Sequence, residues 1–248
     1  MTPIIAIRTA LRFLTRIPIP GPHADSEAEF AWSVAWYPAV GILIGSIGAL
    51  LSLVCSGIGL PSSFSAILIW GFLIVMTGAL HEDGFADSAD AMGGGSSIQK
   101  RLEIMKDSRI GTFGGIALIA LLSWRFATLN NLDMAYWPSV LILSQSLSRL
   151  TPLFILYWLP YAREEDKGIA TPFISGLKWH HIALAWISMC PLILWDPPRI
   201  LILLLGIATC GILWGLYCRS KVNGITGDLA GASIIIGEFW LLGYLCLS

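Results

Sequence analysis

Charge is the first thing this sequence is short of. Asp, Glu, Lys and Arg make up 12% of its 248 residues, about half the ~25% usual in a soluble domain. Hydrophobic residues account for 56%, and mean hydropathy is +0.75. A water-soluble fold of this length could not cover so much apolar surface. The class is therefore an all-α polytopic membrane protein, read as a single integral-membrane domain over 1–248. Cysteine pairing is also missing. Cys55, Cys190, Cys210, Cys218 and Cys246 sit mostly in apolar runs without a CxxC or Cys/His pattern. That argues against a zinc site or a disulfide framework. There is no internal repeat and no separable soluble domain. A formal net charge of -1 says nothing about partners, and no nucleic-acid partner is expected.

A cleavable leader is lacking too, because Arg8, Arg12 and Arg16 interrupt the N-terminal apolar run every four residues. Their spacing makes one basic stripe, with Ala10, Phe13, Leu14 and Ile17 opposite. The segment 1–20 reads as an amphipathic helix on an anionic membrane face, ended by Pro18 and Pro20, or as a basic flank of the first span.

What the chain has in abundance is long apolar runs. A bilayer core takes ~20 residues per helix. Candidate spans run over 34–57, 63–80, 110–129, 136–159, 181–196, 199–217 and 229–247, about seven in all. The fifth is short and interrupted by Pro191. With the N-terminus inside, the loops near 58–62, 130–135 and 196–199 face out and hold only Arg199. The inner loops and N-terminus hold Arg8, Arg12, Arg16, Lys100, Arg101, Lys106, Arg109, Arg163, Lys167, Lys178, Arg219 and Lys221, twelve of the fifteen basic residues. The positive-inside rule thus predicts a cytoplasmic N-terminus, with the acidic and glycine-rich loops on the cytoplasmic side.

The densest chemistry lies in 81–109, an acidic and glycine-rich loop. Asp83, Asp87 and Asp90 stand at i, i+4 and i+7, one face of a helix. Like charges at that spacing repel, so a hard divalent cation with oxygen ligands, Mg²⁺ first, is the expected neutraliser. The alternative is a solvated helix face. Glu82 points off that face, and His81 is a possible base or a structural histidine. Gly93, Gly94 and Gly95 offer bare backbone for close approach to a substrate. Glu103 and Asp107 form a second acidic pair that could bracket metal from across a glycine turn, or pair with Lys100 and Lys106. Lys106 and Arg109 are the expected cations for a diphosphate. Acids for metal, open backbone and cations for anions add up to a phosphate-handling site.

Near the C-terminus, GITGD supplies Gly224, Thr226, Gly227 and Asp228. Gly227 permits close approach, Thr226 offers a hydroxyl, and Asp228 completes the metal shell or acts as general base. A plain helix cap is the competing role for either polar residue. Glu238 lies within the last span. Arg149, in the polar stretch SQSLSRLTPLF of the fourth span, reads as an anion-binding wall or as a partner of Glu238 or Asp228. The loop from Arg163 to His181 reads as a lid or a surface loop.

Together these residues resemble the cobalamin synthase family, the adenosylcobinamide-GDP ribazoletransferases. The matching pieces are FLTRIPIP at 13–20, GALHEDGFADSADAMGGG at 78–95, RLEIMKDSRIGTFG at 101–114, SRLTP at 148–152 and GITGDLAGA at 224–232. They follow the family's order over nearly the whole chain. Ile234, Ile235 and Ile236 depart from it where a further polar residue is expected. The resemblance implies a Mg²⁺-dependent inner-membrane transferase. It would join adenosylcobinamide-GDP to α-ribazole, or its 5′-phosphate, and release GMP. Membrane lipid is an expected partner, as is a homo-oligomer or a complex with other corrinoid-assembly enzymes. Two competitors are a CDP-alcohol phosphotransferase and a transporter. The first wants alanine and then arginine where this chain has Asp87 and Ser88. The second is disfavoured because acids and cations gather on one side.

Overall fold

A computed structural model describes residues 3–163, 173, 176–193 and 196–247. Its described secondary structure is helical apart from one isolated bridge between Tyr161 and Ile225. The helices are α1 (Pro3–Leu14), α2 (Glu27–Val34), α3 (Tyr37–Gly57), α4 (Ser62–Thr77), α5 (Leu80–Gly94), α6 (Ile98–Ile104) and α7 (Thr112–Asn130). They continue as α8 (Trp137–Leu147), α9 (Thr151–Trp158), α10 (Trp179–Ile187), α11 (Cys190–Ile193), α12 (Pro197–Val222) and α13 (Gly227–Leu247). A short 3₁₀ turn over Ser148–Leu150 joins α8 to α9, so Met134–Trp158 acts as one span.

Five of these stretches are long and apolar enough to cross a membrane: α3, α7, Met134–Trp158, α12 and α13. The pair α4–α5 is long and apolar enough only when its two helices are counted together, and it is sharply bent between them. The outer faces of the five carry large exposed apolar side chains, such as Leu53 and Val54 on α3, Ile116 and Ile119 on α7, and Leu205 and Leu213 on α12. Such a surface suits acyl chains and would not persist in water.

The expected span over 181–196 is where structure and expectation differ. The chain there forms a nine-residue helix and then a four-residue one, and residues 194–195 lie outside the described set. Pro191 has no N–H to donate back to Ile187, so a continuous helix loses a bond at that point. A passage between the two ends of the bundle is still required. Gly211 of α12 sits against Thr151 of α9, and Gly215 against Ile155 and Trp158, so the two helices run side by side in the same direction. The chain must return from Pro160 to Pro197, and α10 and α11 are the described helices of that return. Trp186 meets Phe154 partway, and Met189 shares the core with Ile200.

Small residues set the closest crossings. Gly41 and Gly45 of α3 lie against the backbone of α8 at Gln145, Ser146 and Ile142, a GxxxG contact that a Cβ would wedge apart. The N-terminal helix forms as expected and buries Ala6, Thr9, Ala10 and Leu14. Its arginines do not act as one stripe. Arg12 donates to the carbonyls of Ile19, Gly21 and Pro22, closing the proline-rich turn, and Arg16 lies beyond the helix against Gly78.

Candidate active site

The site begins with a bend. Gly78 and Ala79 are both left-handed, at φ +67° and +55°, and they turn α5 by 88° from α4. Glycine adopts that conformation freely, while an alanine there costs roughly 1 kcal/mol. α5 thereby leaves the direction of α4. At Gly84 it crosses the first turn of α13, where a Cβ would come within 2.8 Å of the Asp228 carbonyl oxygen. That crossing brings Asp83 and Asp87 of α5 beside Asp228, which is 145 residues further along than Asp83. The expected shared face of α5 is present, and it dips inward: Asp83 is exposed, Asp87 half-buried and Asp90 buried.

Electrostatics mark Asp87 as the centre of the group. Burial, and then the carboxylates of Asp83, Asp228 and Asp90, push it up to about 7, against the pull of Arg163. The side chains of Asp83 and Asp87 have no hydrogen-bond or ion-pair partner among the described residues. Asp228 is held by Arg163 Nη2 at 3.0 Å. It sits in the first turn of α13, where the helix dipole favours a negative charge. No three His, Cys, Asp or Glu side chains among the described residues converge on a common metal point. Asp83, Asp87 and Asp228 are nonetheless all carboxylates, the donor type that Mg²⁺ and other hard divalent ions take, with Arg163 the one cation paired to them among the described residues.

Other expected site residues have different surroundings. Asp90 accepts from the backbone N–H of Gly111 at 2.7 Å and of Gly114 at 2.9 Å, clamping the start of α7. A Cβ on either glycine would run into that carboxylate. Glu103 pairs with Lys100 at 3.3 Å, and Asp107 pairs with Arg109 at 2.6 Å. The second acidic pair is thus neutralised locally and does not face the first. Arg109 has 87% of its side chain exposed and is drawn to Asp107. A glycine turn does separate α5 from α6, but none of Gly93, Gly94 and Gly95 has positive φ. Gly93 makes room for the Phe113 ring and Gly95 for Arg101, so their open space is used by the chain itself. Thr226 is fully buried, and its hydroxyl accepts from Leu229 N. The capping role therefore falls to Thr226, while Asp228 stays available. Gly227 lies beside Asp228 on the wall of an apolar cavity.

Lys106 lines a separate, polar cleft of about 500 Å³ together with Gln99, Glu103, Tyr161, Arg163 and Asn223. Arg163 belongs both to this cleft and to the Asp228 pair, so it links the two. Sequence reasoning placed Arg163 only at the start of a loop. Nothing local distinguishes it, because its importance comes from the bridge that ties Tyr161 to Ile225. Residues 164–172 and 174–175 of that loop lie outside the described residues.

Behind the site a buried network joins four helices, α5, α7, α8 and α13. Arg125 of α7 pairs with Glu82 of α5 at 2.6 Å and with Glu238 of α13 at 2.5 Å, and Gln145 adds a 3.2 Å bond to Glu238. Arg149, only 1% exposed, donates to the Gln145 carbonyl and side chain. It lines neither the apolar cavity nor the polar cleft, and its expected carboxylate partners are not the ones it meets. Arg125 holds both oxygens of Glu238 first. Glu82, which the helical pattern leaves off the acidic face, is here a buried member of the network.

This arrangement can hold a cation between carboxylates, steady an anion with Arg163 and Lys106, and accept a proton from a hydroxyl. Comparison with known proteins agrees with such chemistry. The chain is 36% identical over 245 residues to the adenosylcobinamide-GDP ribazoletransferase of Chlorobaculum tepidum, covering 96% of this chain and 94% of that one. The protein of the same name from Syntrophobacter fumaroxidans is 38% identical over 237 residues, with 94% and 95% covered. That from Shewanella woodyi is 34% identical over 245 residues, with 95% and 94% covered. No solved structure matches. The family described as cobalamin-5-phosphate synthase matches residues 6–246, and the chain belongs to it.

Proposed function

We propose that the chain joins adenosylcobinamide-GDP to α-ribazole, or to its 5′-phosphate, and releases GMP, in keeping with the name its relatives carry. A ribose hydroxyl oxygen of the acceptor bonds to the phosphorus next to the corrinoid. The bond from that phosphorus to the bridging oxygen breaks, and the bridging oxygen leaves with GMP. The acceptor's proton passes to a carboxylate, Asp228 or Asp87. Arg163 and Lys106 line the polar cleft and are placed to take the diphosphate. Arg109 would join them only by giving up Asp107. Mg²⁺, held by Asp83, Asp87 and Asp228, would neutralise charge on the diphosphate as GMP leaves. The basic-residue asymmetry supports a cytoplasmic location for this end of the bundle and for the N-terminus, and the resemblance to the family supports the inner membrane.

The observation that carries this reading is the meeting of Asp83, Asp87 and Asp228 at the Gly84 crossing, with Arg163 beside them. It is tested by GMP release from the purified protein supplied with adenosylcobinamide-GDP and α-ribazole, with Mg²⁺ and with chelator. Asp83→Asn, Asp87→Asn and Asp228→Asn are each expected to slow turnover about 100-fold or more while leaving the protein folded. Near-normal rates in two of the three would end the case for this cluster.

A further inference from the structure

Beneath the acids, a cavity of about 220 Å³ runs between α1, α3, α5, α9 and α13. Asp83 and Asp228 are on its wall, and the rest of the lining is predominantly apolar, with Phe13, Tyr37 and Phe173 forming an aromatic side. The Phe13 ring stacks nearly parallel to Tyr37, at 5.9 Å and 17°, and lies 4.5 Å from Phe173. Two polar groups interrupt this surface. His81 is 5% exposed and Tyr37 4%, and neither side chain has a hydrogen-bond partner among the described residues. Buried polar groups without partners are costly, so such a pair of donors points to a ligand that answers them.

Size narrows the ligand. An apolar cavity of about 150 Å³ holds benzene, so one of about 220 Å³ has room for a fused two-ring system. Drug-sized ligands take ~300 Å³ and upward, and a corrin macrocycle is out of reach. Polarity narrows it further. An acyl chain would leave Tyr37 and His81 unanswered, and guanine would bring several amide and amino groups against apolar walls. A benzimidazole has flat apolar faces and one free ring nitrogen that accepts a hydrogen bond.

We propose that this cavity seats the base of the ribazole acceptor, with its ring nitrogen bonded to Tyr37 or His81 and its ribose at Asp83 and Asp228. The assignment rests on the activity proposed above. It makes the acceptor enter from the apolar interior of the bundle while the diphosphate occupies the polar cleft, so the two substrates meet at the acids from opposite sides.

The test uses the full chain in lipid nanodiscs, with saturation-transfer NMR of benzimidazole and, as a control, of imidazole. Benzimidazole is expected to show transfer and imidazole little. Ala230→Leu, which fills the cavity wall, should abolish the transfer, and Tyr37→Phe should weaken binding about fivefold, the worth of one hydrogen bond. In turnover, Ala230→Leu should raise the KM for α-ribazole about tenfold or more and leave that for adenosylcobinamide-GDP within about twofold. Benzimidazole transfer that is absent in wild type, or undiminished in both variants, overturns the assignment. If GMP release is intact in that case, the activity stands and only the seat is wrong. If wild type releases no GMP from any ribazole, the activity itself fails and the assignment falls with it.

Discussion

At the scale of single residues, two aspartates three positions apart on α5 have opposite surroundings. Asp90 is satisfied by two backbone N–H groups, and Asp87 is crowded by other carboxylates. Asp90→Ala removes a helix cap and should cost about 1–2 kcal/mol, seen as a lowered Tm in thermal unfolding. Asp87→Asn should act the other way. A carboxyl raised from 3.8 to about 7 binds its proton more tightly in the folded state. Stability is therefore full below about pH 4 and falls as pH rises to about 7, where the loss is complete. In chelator, Asp87→Asn is expected to raise Tm more at pH 8 than at pH 4.5; equal shifts would refute the crowding. The arginines separate similarly. Arg163→Lys should raise the KM for the GDP-activated substrate, because a point charge replaces a planar fork beside Asp228. Arg109→Lys, at an exposed position, should change kcat/KM by less than about twofold. The acid face of α5 could be read from spacing. The clamp by Asp90 could not, because its partners lie 21 and 24 residues away and look like ordinary loop glycines.

Elements are fixed to each other here by one buried cation and one glycine. Arg125 ties α7 to α5 through Glu82 and to α13 through Glu238, with all three side chains nearly inaccessible. Removing one partner of such a group strands a charge, at a cost of about 3–5 kcal/mol. Arg125→Met should therefore lower the yield of folded protein, measured by monodisperse recovery in detergent. Combining it with Glu82→Gln and Glu238→Gln should restore part of that loss. Gly84 is the mechanical counterpart. Gly84→Val should push α5 off α13, cutting GMP release far more than it lowers Tm. Periodicity reveals which residues share a helix face, and that part of α5 was legible. It does not reveal which neighbour a face will meet, so Glu82 could not be told from an exposed acid. The bend at Gly78 and Ala79 was equally hidden, since nothing in the sequence marks Ala79 as left-handed.

For the whole molecule, the all-helical membrane class followed directly from hydropathy, and so did most span positions. The return passage through α10 and α11 did not, because its helices are too short to stand out and its placement depends on α9 and α12 running parallel. The orientation remains open to direct measurement. With the exposed Cys190 and the partly exposed Cys210 and Cys246 changed to Ser, Ser96→Cys should react with an impermeant maleimide only from the cytoplasmic side. Asn131→Cys should react only from the opposite side. The reverse pattern would place the active site outside the cell.

The Arg125–Glu238 pair also has a consequence in time. Its partners are 113 residues apart, so at about 5–20 residues per second the ribosome makes Glu238 roughly 6–20 s after Arg125. During that interval a guanidinium is already within the bilayer with Glu82 as its sole acidic companion. Until α13 is made, that guanidinium lacks the carboxylate that takes two of its N–H groups. Because α13 also delivers Asp228 and a wall of the apolar cavity, the second carboxylate of the buried network and Asp228 arrive in the same step of synthesis. A polypeptide arrested before Gly227 would thus lack both Asp228 and the second partner of Arg125, and its buried network would be left open.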